Sequence, residues 1–524
     1  MILSTPSPAK HTSAQTVRSG TASAATPAVI WLLAGGVLVM HVAFAQRYGF
    51  FRDELYYLAC SEHLDWGYVD QPPLIGVLTW FARHAFGSGL LGLRLLPALA
   101  TGTTVWMTAK ITRELGGERF AQGIASLAVV VAPVYLILWH WMTMNAFEPL
   151  VWMTCAWLAL RASGTGQGRY WLWFGVVAGI GLENKYSTAF FVVGVVGGLV
   201  LTGERRWLTN QSLWLGAAMA LLIFLPNLVW LFRHGFPFLE LMRNVRMSGR
   251  DVVRGPFAFM LDQAVILGPL SMLLWIFGAV WLLLGREPRF RVLGWTYLIV
   301  LATLIILKGK NYYVTPAYPM LFAGGGVALE RATLGRLAWF RGLYPILLIV
   351  FSTVTAPFFL PILSPEQFVA YQSWIGIKPP PFENQNNGPL PQYFADEFGW
   401  DEMAREVARV YNDLPAAERG RTAIFANSYG EAAAIDLFGS KYGLPKAISN
   451  HQTYWYWGPR DYDGSTVIVL GSTGVNDRDF FSSVEVAGHV QHPYSRVDEH
   501  FPVLLCRGLK RDLKVLWPQI KRWN

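Results

Sequence analysis

Acidic side chains crowd the segment that follows the first apolar run of the chain. The segment begins Arg52-Asp53-Glu54, continues through Glu62 and Asp65, and reaches Asp70-Gln71-Pro72-Pro73. Five carboxylates are more than a plain loop needs, although a solvated loop explains them equally well. Because neighbouring residues of a helix point to different sides, we expect only one of Asp53 and Glu54 to face a functional site.

Two further motifs place ionisable groups beside apolar runs. In Asn145-Ala146-Phe147-Glu148-Pro149, Glu followed by Pro suits the start of a helix. The alternative is that Glu148 faces a wet cavity and binds a cation. Glu183-Asn184-Lys185 interrupts a long apolar stretch. Ionisable residues at membrane depth indicate function, unless this Glu and Lys merely neutralise each other.

Basic residues form the last group that could do chemistry. The loop 233–254 contains five Arg, and a second segment reads Lys308-Gly309-Lys310-Asn311-Tyr312-Tyr313. Outside the cytoplasm, these cations would oppose the usual charge distribution of membrane proteins. A phosphate ligand at the membrane surface would explain them, since Arg and Lys are natural phosphate partners. The alternative is that the loop is cytoplasmic.

The composition indicates a polytopic membrane protein. Of 524 residues, 53% are hydrophobic and 15% are charged, whereas about a quarter are charged in soluble domains. The net charge of +9 is explained by Lys and Arg in short loops between apolar runs. We find no nucleic-acid motif and expect no nucleic-acid partner. The three cysteines indicate neither a disulfide framework nor a zinc site.

Apolar segments predict eleven membrane spans, since about 20 helical residues cross the hydrocarbon core and several of these segments reach that length. They lie near residues 27–46, 90–109, 120–139, 147–160, 170–182, 186–202, 213–232, 263–284, 292–307, 312–329 and 342–361. The first lacks a convincing cleavage site, which predicts an uncleaved span. The shorter stretch 72–86 predicts an interfacial helix. Residues 1–26 are rich in Ser, Thr, Ala and Pro, which predicts a disordered N-terminus.

Loop charges favour a cytoplasmic N-terminus. With that orientation, the early inside segments contain seven Lys and Arg and the early outside segments contain three. The later inside loops contain eight Lys and Arg and the later outside loops contain seven, so these charges do not determine the orientation of the later spans. Their orientation depends on residues 170–202, which we interpret as two helices because a lipid-facing Glu-Asn-Lys sequence is costly.

The chain changes character after residue 361. Residues 362–391 are rich in Pro and predict a linker, and residues 392–524 predict a soluble α/β domain. Its expected elements are helices at 399–413 and Glu431 to Phe438, and strands at Thr422 to Ala426, Ser465 to Leu470 and Val503 to Cys506. With eleven spans and an inside N-terminus, this domain lies outside the cytoplasm.

In this order the motifs resemble the bacterial family 39 membrane glycosyltransferases, of the protein O-mannosyltransferase and aminoarabinose-transferase type. The resemblance covers about residues 27–361. It depends on Asp53-Glu54, Asp70 to Leu74, Asn145 to Pro149, Gly181 to Tyr186, Pro226 to Trp230 and Lys310 to Pro319. It implies an all-α polytopic membrane domain of the GT-C fold, followed by the soluble α/β domain. It also implies a bacterial inner-membrane protein whose loops 47–89 and 233–262 and C-terminal domain are periplasmic.

The resemblance further implies an inverting glycosyltransferase. Such an enzyme moves a sugar from a polyprenyl-phosphate donor to a lipid, polysaccharide or protein acceptor. Asp53 matches the family's catalytic carboxylate, whose role would be general base. The residues implied for the donor phosphate are Lys185, Arg243, Arg246, Arg250, Lys310 and Tyr312. The secondary acidic or acceptor positions are Glu54, Asp70, Gln71 and Asn145.

A second acidic pair of the family is matched by Asp70 and Glu148. In the aminoarabinose branch this pair can hold a metal ion, which implies a divalent metal as the one cofactor. That branch has Lys where this chain has Gln71, which puts in doubt both a phosphate contact there and that branch's substrate. Glu148 stands where Asp is more usual.

Two other classes of function share these residues. A transporter or flippase would use the buried charges along a translocation path, and a non-catalytic subunit would only bind lipid-linked sugar. The sequence has no internal repeat typical of transporters, and the polar motifs gather on one side, which favours the enzyme. In the C-terminal domain, the segments Asn427 to Glu431 and Ser449 to Pro459 could stack on a sugar or simply form the core.

Overall fold

The computed structural model describes residues 26–249, 251–377 and 388–524. Outside these ranges lie residues 1–25 of the predicted disordered segment, Arg250, and the linker prolines Pro379 to Pro381. The first part of the chain is a helical bundle. Its helices are α1 (Ala28–Phe44), α2 (Arg52–Glu62), α3 (Leu74–Phe86), α4 (Leu90–Glu114), α5 (Arg119–Val131), α6 (Pro133–Leu138), α7 (Met144–Thr165), α8 (Arg169–Asn184), α9 (Thr188–Val200), α10 (Gln211–Arg233), α11 (Pro237–Ser248), α12 (Pro256–Ile266), α13 (Met272–Leu284), α14 (Pro288–Ile306), α15 (Tyr318–Ala332), α16 (Phe340–Thr355) and α17 (Pro365–Ile375).

All eleven predicted spans coincide with helices or with pairs of helices. Four helical segments of the described chain are long and apolar enough to cross a membrane alone, and six qualify if two bent pairs each count as one. The four are Leu90–Glu114, Gln211–Arg233, Pro288–Ile306 and Gly335–Phe358. The helical character of the spans is therefore confirmed, and the number eleven stays a prediction.

Breaks in the helices follow the local sequence. Lys185 has an extended backbone between α8 and α9, so the predicted division of residues 170–202 into two helices is confirmed. The span predicted at 120–139 is wrong as one helix, because α5 ends before Pro133 and α6 begins there. Proline lacks a backbone N–H and disfavours helical backbone in the residue before it.

The predicted interfacial segment 72–86 contains helix α3. One face of this helix is buried, while Val77, Trp80 and Phe81 on it are substantially exposed. An apolar face that the described residues leave uncovered is what a helix lying in the bilayer interface requires. The position of α3 in a membrane stays a prediction.

Residues 388–524 fold into the predicted α/β domain around a five-stranded sheet. The strands are β1 (Thr422–Ala426), β2 (Ile448–Ser449), β3 (Thr466–Leu470), β4 (Phe481–Val490) and β5 (Phe501–Leu509), in the order β2-β1-β3-β5-β4. Strand β1 runs parallel to β2 and β3, and β5 runs antiparallel to β3 and β4. The helices of the domain are α18 (Gln392–Ala395), α19 (Trp400–Asp413), α20 (Ala416–Arg419), α21 (Tyr429–Phe438), α22 (Tyr454–Trp457), α23 (Asp477–Phe480) and α24 (Leu513–Leu516).

Helix α2 is shared between the two parts of the chain. Every residue from Glu54 to Ser61 is buried, and the apolar ones join the core formed by α19, α21 and one face of the sheet. The backbones also meet, because a Cβ added at Gly49 would lie 2.1 Å from the carbonyl oxygen of Glu397. Residues 54–61 are therefore part of an interior, whereas residues 62–66 of the same segment are exposed.

Candidate functional site

A cavity of about 1310 Å³ lies where α2, the bundle and the C-terminal domain meet. It brings together motifs that are far apart in sequence. Nine residues predicted for the site line it: Asp53, Asp70, Gln71, Asn145, Lys185, Arg243, Arg246, Lys310 and Tyr312. Two others, Glu54 and Glu148, are not among the lining residues, and Arg250 lies outside the described residues.

Asp53 and Glu54 diverge at the start of α2, as the helix geometry predicts. Asp53 lines the cavity, and its Oδ1 accepts a hydrogen bond of 2.8 Å from the Tyr429 hydroxyl. Glu54 points into the protein, where its Oε2 accepts a hydrogen bond from the Phe51 backbone N–H at 2.9 Å. Both carboxylates lie in the first turn, which the positive end of the helix dipole favours.

Glu54 is buried in an ion pair with Arg94 and does not line the cavity, where a secondary acidic or sugar-acceptor position was predicted for it. Its two oxygens accept hydrogen bonds from Arg94 Nε at 3.0 Å and Arg94 Nη2 at 2.7 Å, and Oε1 also accepts one from the Met142 N–H. Both side chains are almost completely buried. A two-pronged pair of this kind fixes the orientation of α2, and thereby of Asp53, relative to α4.

Arg94 also joins the bundle to the C-terminal domain. Its guanidinium lies 3.2 Å from Glu397 Oε2 and donates hydrogen bonds to the carbonyl oxygens of Ala45 and Gly49. The indole N–H of Trp141 donates to the other oxygen of Glu397 at 3.2 Å. Burial raises the pKa of the Glu397 carboxyl to about 8, and the nearby charge of Glu54 raises it as well.

This raised pKa predicts a pH-dependent stability. Between about pH 4.5 and pH 8 the folded protein keeps a proton on Glu397 that the unfolded chain has released, so its free energy of unfolding falls as the pH rises. Burial also raises the pKa of Glu431 to about 8, which adds a fall in the same direction. Between pH 4.5 and pH 8, the midpoint of thermal unfolding should fall less for Glu397→Gln than for wild type. Glu402 is exposed, so Glu402→Gln should show the same fall in unfolding midpoint as wild type. An unchanged fall in Glu397→Gln would contradict the raised pKa given to Glu397.

Asp70 and Gln71 occupy different environments in the same wall. The Tyr56 hydroxyl lies 3.0 Å from Asp70 Oδ1 and 2.6 Å from the hydroxyl oxygen of Thr453 in the C-terminal domain. Gln71 is almost fully buried, and its Nε2 lies 3.8 Å from Cys60 Sγ. Asp70 is therefore hydrogen-bonded to Tyr56, whose hydroxyl in turn contacts that of Thr453, whereas the Gln71 amide packs against the thiol of Cys60.

Lys185 is held at the break between α8 and α9. Its Nζ donates hydrogen bonds to Asn145 Oδ1 at 2.7 Å and to Glu148 Oε2 at 2.9 Å, and it lies 4.4 Å from the centre of the Tyr313 ring. The other oxygen of Glu148 accepts a hydrogen bond from Ser187. Asn145 and Glu148 thus position a cation at the cavity wall.

The predicted metal site at Asp70 and Glu148 does not fit these contacts. Both oxygens of Glu148 already accept hydrogen bonds, and one of the donors is the ammonium group of Lys185. A divalent cation would have to displace or stand beside that positive charge. Within the described ranges, no group of three or more His, Cys, Asp and Glu side chains could hold a metal ion.

The remaining cations approach the cavity from α11 and from the segment after α14. Lys310 Nζ lies 3.3 Å from Asp251 Oδ1, and Arg246 Nη2 donates to the Leu307 carbonyl at 3.4 Å. Arg243 forms no ion pair within the part of the chain that the structure describes. Aliphatic side chains line the cavity beside these cations, among them Leu239, Met242, Met247, Leu304 and Leu307. This wall combines positive charge with an apolar surface.

The C-terminal domain supplies a polar wall that the sequence did not predict in full. Its lining residues include Asn427, Ser428, Tyr429, Glu431, His451, Gln452, Arg496, Asp498, Glu499 and Arg522. Trp455 does not reach the cavity, and its indole N–H donates to the Trp517 carbonyl in the domain core. The segment Asn427 to Glu431, singled out in the sequence, supplies part of this wall, and its Ser428 and Glu431 form the capping box that starts α21 directly after β1.

The fold, a helical bundle with an appended α/β domain and a cavity between them, is similar to that of solved structures. ArnT from Cupriavidus metallidurans, solved with bound undecaprenyl phosphate, matches with a TM-score of 0.60 and 15% identity, over 92% of this chain and 98% of that one. The oligosaccharyltransferase of Archaeoglobus fulgidus matches with a TM-score of 0.51 and 12% identity, over 86% of this chain and 68% of that one. At these identities the likeness establishes the fold.

Sequence comparisons agree with the structural ones. Residues 70–230 match the family model described as dolichyl-phosphate-mannose-protein mannosyltransferase. The lipid A galacturonosyltransferase RgtD of Rhizobium johnstonii is 25% identical over 278 residues, which are 50% of this chain and 56% of RgtD. The chain thus matches little more than half the length of this relative. The resemblance to GT-C glycosyltransferases predicted from the sequence is confirmed.

Proposed function

We propose that this protein is an inverting glycosyltransferase that moves a sugar from a polyprenyl phosphate to an acceptor at the periplasmic face of the bacterial inner membrane. One observation carries the proposal: Asp53 and a group of cations beside aliphatic residues line the same cavity. A lipid-linked sugar phosphate needs an apolar surface, positive charge and a base within one site. The family match, RgtD and the undecaprenyl phosphate bound to ArnT support the same donor class.

In the proposed reaction, the acceptor hydroxyl attacks the anomeric carbon of the sugar from the face opposite the lipid phosphate. Asp53 accepts the proton of that hydroxyl as general base. The bond between the anomeric carbon and the phosphate oxygen breaks, and the phosphate leaves with the electron pair. Lys185 and the Arg side chains stabilise the developing charge. The configuration inverts, because no carboxylate forms a covalent glycosyl intermediate.

Arg243 offers the clearest test of the phosphate end. We expect Arg243→Ala to weaken binding of polyprenyl phosphate by about 10- to 100-fold, because a hydrogen bond to a charged group contributes about 1.5–3 kcal/mol. Binding is measured by titrating undecaprenyl phosphate into the purified protein in detergent. Arg254→Ala is the matched control, since Arg254 pairs with Asp262 and does not line the cavity. Equal affinity of Arg243→Ala and wild type would exclude Arg243 from the donor site.

The reaction itself is tested with purified protein in liposomes, labelled polyprenyl-phosphate sugars and bacterial membrane extract. An enzyme releases polyprenyl phosphate and gives a labelled product. A flippase would move the intact donor across the bilayer without releasing phosphate. A non-catalytic binding subunit would bind the donor and leave it unchanged. Failure to consume any donor in the presence of extract would refute the proposed function.

Orientation requires a separate experiment, because the cytoplasmic N-terminus and periplasmic C-terminal domain stay predictions. Met247 and Asp461 are exposed, one on α11 and the other in the C-terminal domain. Single cysteines at these positions should react with a membrane-impermeant maleimide added from the periplasmic side. The native cysteines are buried and give a low background. Labelling from the cytoplasmic side alone would reverse the proposed orientation.

A further inference from the structure

The C-terminal domain closes tightly around the start of helix α2. A Cβ added at Gly430 would lie 2.8 Å from Arg52 Cγ, so the domain backbone touches the residue beside Asp53. The rings of Tyr56 and Tyr429 pack with centroids 4.7 Å apart. Asp53 therefore stands at a contact between two parts of the chain, and both parts can determine its orientation.

Tyr429 is the residue of the C-terminal domain that reaches Asp53 directly. Its hydroxyl donates to Asp53 Oδ1 at 2.8 Å, and the Arg52 guanidinium lies 4.8 Å from the centre of its ring. The ring also stacks with His451 at a centroid distance of 5.1 Å, and the Tyr429 backbone N–H donates to His451 Nδ1. These contacts with Arg52 and His451 fix the position of the Tyr429 hydroxyl.

The same domain supports the second carboxylate of the cavity. Thr453 Oγ lies 2.6 Å from the Tyr56 hydroxyl, which is 3.0 Å from Asp70 Oδ1. Thr453 also accepts a hydrogen bond from the Val69 N–H at 3.1 Å. The C-terminal domain therefore contacts both Asp53 and the chain segment that carries Asp70.

We propose that the C-terminal domain is an integral part of the catalytic centre and that Tyr429 is the positioning residue for Asp53. The inference rests on the proposed function, because it gives Tyr429 a role through the general base. A hydroxyl donor stabilises the ionised form of a carboxylate and therefore favours the state that can accept a proton. The hydrogen bond also fixes the direction of the carboxylate relative to an acceptor in the cavity.

Tyr429 is suited to remain a donor. Burial raises the pKa of its phenol well above the usual value, and the neighbouring Asp53 raises it as well. The other titratable groups that line the cavity around this contact are Arg52 and Tyr57 on α2, Asp70 in the loop after it, and Asp396, Glu431, His451, Arg496, Asp498, Glu499 and Arg522 of the C-terminal domain. Replacement of Tyr429 by Phe removes only the phenol oxygen and leaves all of these side chains in the protein.

The test is Tyr429→Phe, which keeps the ring and its packing. We expect the kcat for transfer from labelled polyprenyl-phosphate sugar to fall about tenfold, with an unchanged KM for the donor. The acidic limb of the pH–rate profile should move up by about one pH unit, because the Asp53 carboxylate loses a donor that favoured its charged form. Tyr429→Trp, which cannot restore the hydroxyl, should not recover the rate.

Tyr454→Phe is the matched control. The Tyr454 hydroxyl also donates to a carboxylate of the C-terminal domain, Asp436 Oδ2, at 2.9 Å, and Asp436 does not line the cavity. Both variants lose one buried Tyr–Asp hydrogen bond, so a loss of stability alone would affect them alike. Only Tyr429→Phe should shift the pH–rate profile.

The outcomes separate this inference from the proposed function. If wild type transfers sugar and Asp53→Asn does not, while Tyr429→Phe keeps the wild-type kcat and profile, the role of Tyr429 is refuted and the enzyme stands. A profile shift of equal size in Tyr454→Phe would also refute it. If wild type consumes no donor, the proposed function itself fails.

Discussion

Replacement of Asp53 by Asn is expected to lower the rate of sugar transfer by about 10²- to 10⁴-fold, the usual contribution of a general base. Asn has nearly the same shape but cannot accept the acceptor's proton. The affinity for undecaprenyl phosphate should stay within about twofold of wild type, because the cations at the other end of the cavity are unchanged. Single-turnover transfer from a labelled donor measures the rate, and direct titration measures the affinity.

Glu62→Gln is the control for this substitution. Glu62 is the last residue of the same helix, but it forms half-exposed ion pairs with Arg83 and Lys446 and does not line the cavity. It should transfer sugar at the wild-type rate. If Asp53→Asn keeps more than about a tenth of the wild-type rate, Asp53 is not the general base.

Arg94→Met should produce the largest loss of stability, about 3–5 kcal/mol, because it leaves the Glu54 carboxylate buried without its cation and removes a hydrogen-bond donor from Glu397. The expected result is a marked fall in the midpoint of thermal unfolding in detergent. Transfer activity should fall with it, since Glu54 and Arg94 orient the helix that carries Asp53.

Arg83→Ala provides the comparison, because Arg83 forms a partly exposed pair with Glu62 that should contribute about 0–1 kcal/mol. The double variant Arg94→Met with Glu54→Gln should recover part of the stability, since one buried charge is removed. Equal unfolding midpoints for Arg94→Met and Arg83→Ala would contradict the role given to the buried network.

Much of the bundle could be predicted because burial in lipid or protein demands continuous apolar sequence. The helix break at Lys185 could also be predicted, since a charged turn is costly at mid-membrane. The divergence of Asp53 and Glu54 follows from helix geometry alone. The split between α5 and α6 was missed, although Pro133 marks it, because the residues on both sides are apolar.

The contacts that complete the site could not be predicted from the sequence. Arg94 lies in an apolar helix and gives no indication that its partners are Glu54 and Glu397. Tyr429 stands in the segment Asn427 to Glu431, yet its hydrogen bond to Asp53 spans 376 residues of sequence. Such pairings depend on how two folded parts dock. Strand β4 was missed for a different reason, because it is an edge strand whose residues are largely exposed.

A ribosome makes Asp53 376 residues before Tyr429. The first helices can enter the membrane while most of the chain is still unmade, and during that time the Asp53 carboxylate lacks the Tyr429 hydroxyl of the C-terminal domain. Under the proposed role of Tyr429, a nascent or truncated chain is a poor consumer of lipid-linked sugar. In that case full activity begins when the C-terminal domain has folded onto α2, so the order of synthesis itself delays the chemistry until this domain has been made.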